Sequence, residues 1–220
     1  MKIAIIGGTG KEALGLALRL ARIGEEIIIG SRQQQKAEQK AAELNQHLAQ
    51  PRVRGLENKP AAAEADLAIL TVPYAGHAAT VSHIAEALRD KILIDTTVPL
   101  DVKSFRQLAR KSDISAAEEA QQILGSATKV VAAFQNISHE ALFDVETAID
   151  CDVLVCGDDR EARSTVIRLI ERIGMRALDA GPLRMARLVE EITPLLIYLN
   201  RRYHSKRAGI RVTGIAPPGE

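Results

Sequence analysis

The sequence predicts an α/β protein built on a doubly wound, mostly parallel sheet. Three observations carry that expectation. A fully apolar strand at the N-terminus runs through a glycine turn into an apolar helix, short apolar strands recur between helical stretches, and most strands end in small or rigid residues. A helical segment, 182–220, extends the main domain, 1–181. The 220 residues suffice for one substantial core, and the 29 basic against 28 acidic residues leave a net charge of +1. That balance supplies no global field to draw nucleic acid or a membrane surface, and neither is expected as a partner. The chain opens directly in a strand and has no apolar run of about 18 residues, so the expected location is the cytoplasm.

The first unit is the most informative. Ile3-Ala4-Ile5-Ile6 is apolar on both faces, and Gly8-Thr9-Gly10 lets the backbone turn sharply toward a helix whose apolar run extends from Ala13 to Ile23. Ala13 stands where the third glycine of a dinucleotide fingerprint usually lies, a permitted small residue. Strand, glycine turn, helix and second strand together read as a Rossmann-type phosphate site: at Gly8-Thr9-Gly10 the free amides and the positive helix end meet a pyrophosphate. The second strand, Glu26–Gly30, leads to Ser31 and Arg32, with Lys36 one helical turn further. About 20 residues after the glycines a carboxylate would accept the ribose 2′-hydroxyl of NAD. Here a hydroxyl and two cations stand instead, which suits a 2′-phosphate, so the residues point to NADP.

The next helix carries Ala37, Ala41, Leu44 and Leu48 on one face and is expected to run to Pro51. An edge strand at Arg52–Glu57, a short helix at Ala61–Ala65, and strands at Leu67–Pro73 and Ile92–Asp95 flanking a helix at His77–Leu88 follow. Ser104–Leu124 is expected to be largely helical, with Ser115 capping the part that begins at Ala116. Lys129–Phe134 and Asp152–Gly157 are further strands, and Asp158 or Asp159 caps the helix that runs to Ile173; capping explains that acidic pair better than a metal site does. Ligands of such sheets lie beyond the strand carboxyl ends, so Val72–Tyr74, Thr97–Pro99 and Ala133–Asn136 should face one crevice, where Pro73 and Pro99 either pack flat on a nicotinamide or merely end their strands. His77, His139, Lys129 and Tyr74 are the side chains near it capable of proton transfer.

Cys151 and Cys156 have no partner cluster and read as core thiols placed on opposite faces of one strand. In the C-terminal segment Pro182 opens a helix that Pro194 breaks or kinks. Leu195–Leu199 is apolar nearly all round and needs a cover, for which a second copy of the chain is the expectation. Arg201, Arg202, Lys206, Arg207 and Arg211 form a basic cluster with no acid among them.

Ile5–Gly10, Gly30-Ser31-Arg32 with Lys36, Leu70–Pro73, Val155–Asp159 and Asp179–Leu183 with Arg187–Glu190 occur in an order and spacing that closely resembles the NADPH-dependent coenzyme F420 reductases, from Met1 to about Ile215. The resemblance implies a dimeric Rossmann enzyme that passes hydride between NADP(H) and an 8-hydroxy-5-deazaflavin, coenzyme F420. Carried over residue by residue, it implies nucleotide contacts at Thr9, Gly10, Lys11, Glu12, Ser31, Arg32, Lys36, Pro73 and Val98; from the crevice itself, His77 and Ala133 are added as expected cofactor-side residues. It also gives the basic cluster a task, because this coenzyme carries a phosphate and an oligoglutamate tail. Direct hydride transfer between stacked rings needs no obligatory acid or base, so no catalytic side chain and no metal are expected. The competing expectations are an NADP-dependent carbonyl or imine reductase, which would need a positioned proton donor, and an NADP-binding sensor or ferric-reductase-like module.

Overall fold

The structure, a computed structural model, describes residues 1–101 and 113–215. The part of the expected Ser104–Leu124 helix that precedes residue 113 lies outside them. Among the described residues, β1 (Lys2–Ile6), β2 (Glu26–Ser31), β3 (Val53–Glu57), β4 (Leu67–Leu70), β5 (Ile92–Asp95), β6 (Lys129–Ala132), β7 (Asp152–Gly157) and β8 (Arg176–Asp179) form one sheet in the order β3-β2-β1-β4-β5-β6-β7-β8. Strands β1 to β6 are parallel, β7 runs antiparallel to β6, and β8 is parallel to β7. The doubly wound sheet expected from the apolar strands is therefore present, with its order reversing at β1.

Side chains alternate across each strand, so Ile3 and Ile5 enter one apolar cluster while Ala4 and Ile6 enter the other. The first cluster lies under α1 (Lys11–Arg22), α2 (Gln34–Asn45) and, past the short helices α3 (Asn58–Glu64), α4 (His77–Ile84), α5 (Ala116–Leu124) and α6 (His139–Phe143), under α7 (Arg160–Arg172). The second lies under α3, α4, α5 and the start of α8 (Ala186–Arg202). Leu183, Ala186 and Val189 belong to that second cluster, so the C-terminal segment shares its core with the sheet.

Several local expectations need correction. Helix α2 stops at Asn45 rather than Pro51, because the Asn45 amide donates to the Val53 carbonyl (2.7 Å) and accepts from Arg52 and Val53, folding the chain straight back into β3. Pro194 does not end its helix: α8 continues through it to Arg202. Cys151 precedes β7, and both cysteines are buried free thiols. Ser115 caps α5 in a full capping box with Glu118, and Asp159 caps α7 by accepting from Ala162 N, while Asp158 accepts from Leu183 N (2.9 Å) and ties α8 to the sheet. Strand β8 and helix α6 were not anticipated. β8 is held by Arg176, which grips the buried Asp152 through two hydrogen bonds.

Gly55 lets α2 sit directly on the edge strand: a Cβ there would lie 2.2 Å from Glu38 N and 2.3 Å from the Ala37 carbonyl carbon. That contact fixes the helix start carrying Lys36. Gly55→Ala should cost about 1–3 kcal/mol in urea unfolding, and NADPH titration should show weaker binding, because α2 must move away.

Candidate active site

Because β1, β4, β5 and β6 are parallel, their carboxyl ends share one edge of the sheet, and two adjoining cavities lie there. They share Val72 and Pro73. The glycine turn sits where they meet. Gly7 adopts φ +71°, and a Cβ on it would lie 2.4 Å from Val72 Cγ1. Its amide donates to Asn58 Oδ1 (3.2 Å), and Gly8 N donates to the Gly30 carbonyl (2.9 Å). Gly10 precedes α1 and faces open space, so backbone can approach a phosphate group there.

The larger cavity, about 1250 Å³, is lined by Thr9, Ser31, Arg32, Lys36 and Asn58, with no carboxylate among its lining residues. Arg32 and Lys36 are exposed at the start of α2, where cations oppose the helix dipole and an anionic partner would offset them. Ser31 is buried at the end of β2, and its hydroxyl accepts from Gln33 N (3.2 Å).

The second cavity, about 740 Å³, is lined by Gly10, Lys11 and Glu12 on one side and by Pro73, Thr96, Thr97 and Val98 on its floor; Phe134 to Glu140 and α8 supply the far wall. Phe134 has φ +76°, a costly conformation for an aromatic residue. It is held there by Ala133 N and Gln135 Nε2, which both donate to the Asp95 carbonyl (3.2 and 2.8 Å), and the turn sends Gln135 and Asn136 toward the cavity. Thr97 Oγ1, Gln135 Oε1 and Asn136 Oδ1 are buried without a hydrogen-bond partner. Buried polar atoms left so cost free energy unless a ligand meets them, and an amide-bearing ring such as nicotinamide or a deazaflavin offers the matching donors.

Two residues expected beside the ligand lie beneath the surface instead. His77 is 0% exposed and lines neither cavity; its Nε2 meets Asp95 Oδ2 at 2.7 Å, and Asp95 Oδ1 accepts from Thr97 N (2.9 Å). It therefore positions the floor rather than touching a cofactor. Burial disfavours the imidazolium, but the hydrogen bond and charge of Asp95 outweigh it and raise the His77 pKa above the usual value. Ala133 is likewise fully buried, and Phe134 to Asn136 face the cavity in its place. Lys129 begins β6 at the opposite end of the sheet, 2.8 Å from Asp159, and the Tyr74 hydroxyl donates to Glu119 (2.8 Å) outside both cavities. Of the four expected proton-transfer candidates only His139 lines the crevice.

What sequence reasoning missed is equally specific. Asn58 holds the glycine turn, and Thr193, Leu196, Ile197 and Asn200 of α8 wall the second cavity, with Thr193 Oγ1 donating to the Gln135 carbonyl (2.8 Å). Within the basic cluster Arg207 pairs with Asp144 (2.5 Å) and Arg211 with Asp150, acids that lie far away in sequence, while Arg201 and Lys206 line the cavity. Glu12 is half-buried, and burial raises its carboxyl to about 7, although a hydrogen bond from Thr96 pulls it down.

Residues 2–99 match the family model described as NADP oxidoreductase coenzyme F420-dependent. The F420-dependent NADP reductase of Methanocaldococcus jannaschii is 46% identical over 223 positions, which span 98% of this chain and 99% of that protein. The chain belongs to this F420-dependent family. The family's F420-dependent NADP reductase of Methanothermobacter marburgensis is 47% identical over 98% of this chain and 99% of its own. A protein of Arthrobacter sp. FB24, solved at 1.70 Å as a candidate F420-dependent NADP reductase, superposes with a TM-score of 0.84 at 29% identity, covering 97% of this chain and all of that one.

The buried His77–Asp95 pair carries a prediction for this family member. Removing the imidazole leaves Asp95 buried and unpaired, so His77→Ala should cost about 3–5 kcal/mol in denaturant unfolding. A raised histidine pKa stabilises fully below its unfolded value of about 6.5 and the contribution is lost as pH rises through the folded value. The cost of the substitution should accordingly shrink toward alkaline pH.

Proposed function

We propose that the chain transfers hydride directly between NADP(H) and coenzyme F420, with the dinucleotide laid across both cavities. The adenosine 2′-phosphate sits at Ser31, Arg32 and Lys36, the pyrophosphate at Thr9 to Glu12, and the nicotinamide in the second cavity against Pro73 and Val98. The observation that carries this reading is the pair of cavities joined at Val72 and Pro73, cationic without a carboxylate at one end and floored by Pro, Val and Thr at the other. The deazaflavin enters the second cavity, where Arg201 and Lys206 are placed to meet an anionic extension.

When both are bound, the two cofactors supply the redox chemistry, one ring donating hydride and the other accepting it at carbon. The protein stacks them and excludes water, with no side chain as obligatory acid or base. Support comes from where the candidates lie: His77 is sealed below the floor, Lys129 is at the far end of the sheet, and His139 is exposed at the rim. A carbonyl or imine reductase would need a donor within hydrogen-bond reach of its substrate. The direct test is whether the pure protein bleaches the deazaflavin absorption on addition of NADPH. Two free buried thiols fit a reducing compartment, and we place the protein in the cytoplasm.

We also infer a homodimer through the segment 182–220. Leu188, Leu195 and Tyr198 recur along one side of α8 and are each more than half exposed, while Leu196 packs inward. An apolar stripe of this kind calls for a cover, and α8 also walls the active site, so pairing there would rigidify it. Among the described residues no helix is long and apolar enough to cross a membrane, so lipid contact is not offered as the cover.

Arg32→Ala should weaken NADPH binding roughly ten- to hundredfold, the worth of a lost charged hydrogen bond of about 1.5–3 kcal/mol. NADH binding, measured in the same titration, should hardly change; equal losses would overturn the 2′-phosphate assignment. Sedimentation at micromolar concentration should show a dimer, converted to monomer by Leu195→Glu with Tyr198→Glu. A wild-type monomer would contradict the dimer.

A further inference from the structure

Glu12 is an unexpected residue on a phosphate-binding turn, because a carboxylate there competes with the anion that the helix N-terminus attracts. Its side chain does not line the cationic cavity of Ser31, Arg32 and Lys36 but the second one, beside Pro73 and Thr96. In the reading proposed above, on which this inference rests, that is the nicotinamide side. The nicotinamide ring is a cation when oxidised and neutral when reduced. A carboxylate in the same partly desolvated crevice attracts the first and is indifferent to the second, and the low local dielectric strengthens the difference.

We propose that Glu12 senses the redox state of the bound nicotinamide: ionised, it favours NADP⁺, and protonated, it relinquishes that preference, so that nicotinamide reduction is coupled to proton uptake at this carboxyl. The balance is complete. Hydride transfer to NADP⁺ moves two electrons and one proton onto the ring carbon and cancels its charge, and the reduced deazaflavin also releases one proton. Glu12 takes up part of that proton because its counter-charge has gone, and the remainder goes to solvent; the reverse reaction returns it.

Glu12 titrates where this matters, since burial holds its carboxyl at about 7. The other charged or titratable groups around the crevice are Lys11 on its own helix, His139 and Glu140 opposite, Arg201 and Lys206 from α8 and the residues after it, and the buried His77–Asp95 pair behind Thr96 and Thr97. His139 Nε2 lies 3.5 Å from Glu140 Oε1, and the Glu12→Gln comparison separates that pair's contribution from that of Glu12. Lys11, Arg201 and Lys206 are present in both nucleotide titrations and in the Glu12→Gln variant alike. The nucleotide 2′-phosphate itself titrates near pH 6 but is common to NADP⁺ and NADPH.

The ratio of the two dissociation constants therefore isolates the effect. NADP⁺ and NADPH are titrated separately into the full chain, without deazaflavin, from about pH 5.5 to 8.5, with Glu12→Gln in parallel. The wild-type ratio Kd(NADP⁺)/Kd(NADPH) should fall about tenfold on going alkaline, equivalent to about 1.4 kcal/mol, and calorimetry in buffers of different ionisation enthalpy should show proton release on NADP⁺ binding near pH 7 in excess of that for NADPH. In Glu12→Gln the ratio should be flat; if that variant fails to fold, Glu12→Ala is read in the same way. A flat wild-type ratio with both nucleotides bound overturns the inference alone, as does a variant that keeps the slope, whereas failure to bind either nucleotide overturns the NADP(H) reading itself.

Discussion

The site depends on one steric constraint, the closeness with which the chain passes itself at Gly7. A side chain there would collide with Val72, and the same turn is tied through its amides to Asn58 and to Gly30. Those three contacts belong to the segments that bear the rest of the crevice. Gly30 leads into Ser31 and Arg32, Asn58 opens α3 beside the edge strand that supports α2, and Val72 precedes Pro73, which both cavities share. Any larger residue at position 7 would therefore disturb the glycine turn's contacts with the linings of both cavities at once.

A second, buried set of bonds holds the opposite wall. Asp95 is the hub: its carboxylate meets His77 and Thr97 N, and its carbonyl accepts from Ala133 N and Gln135 Nε2. The Gln135 carbonyl in turn accepts from Thr193 on α8. A chain of polar contacts thus joins β5, β6 and the C-terminal helix, which packing alone would leave free to slide. It forces Phe134 into left-handed backbone and leaves the Gln135 and Asn136 amide oxygens unpaired, costs a fold sustains where they orient groups toward a ligand.

How far this was legible in the sequence follows from range. Apolar runs such as Ile3–Ile6, Leu67–Leu70 and Ile92–Asp95 mark their strands by local pattern, and the phosphate turn by local glycine chemistry. The cationic cavity was legible because Ser31, Arg32 and Lys36 fall within six residues, from the end of β2 to the first turn of α2, where a helix start disfavours positive charge. The other end is assembled from partners distant in sequence, and no local pattern reports them. Lys129 was expected near the crevice because it adjoins residues that face it, but it begins β6 whereas the crevice lies at that strand's end. His77 was expected to face the ligand, yet the carboxylate that draws it inward lies 18 residues on. Arg207 and Arg211 look like an unopposed basic cluster until Asp144 and Asp150 fold against them. The reversal of β7 and the four-residue β8 likewise rest on tertiary bonds, chiefly Arg176 to Asp152.

The two halves of the crevice obey different physics, and the division matches what a hydride-transfer enzyme must do. Exposed cations such as Arg32 and Lys36 suit the proposed recognition of a doubly charged 2′-phosphate: long-range attraction works through solvent, and side-chain ordering entropy is lost only when the ligand arrives. Hydride transfer gains nothing from that arrangement. It needs two rings held at contact distance with water excluded, and a floor of Pro73, Thr96, Thr97 and Val98 backed by a sealed ion pair is stiff in a way that solvated side chains are not. Two carboxyls, Glu12 and Glu140, line this second half, and Glu12 enters it from α1, the helix proposed to meet the phosphates. The proposed phosphate anchor and Glu12 thereby share one helix start, so that a nucleotide fixed there would also have a fixed distance to that carboxyl.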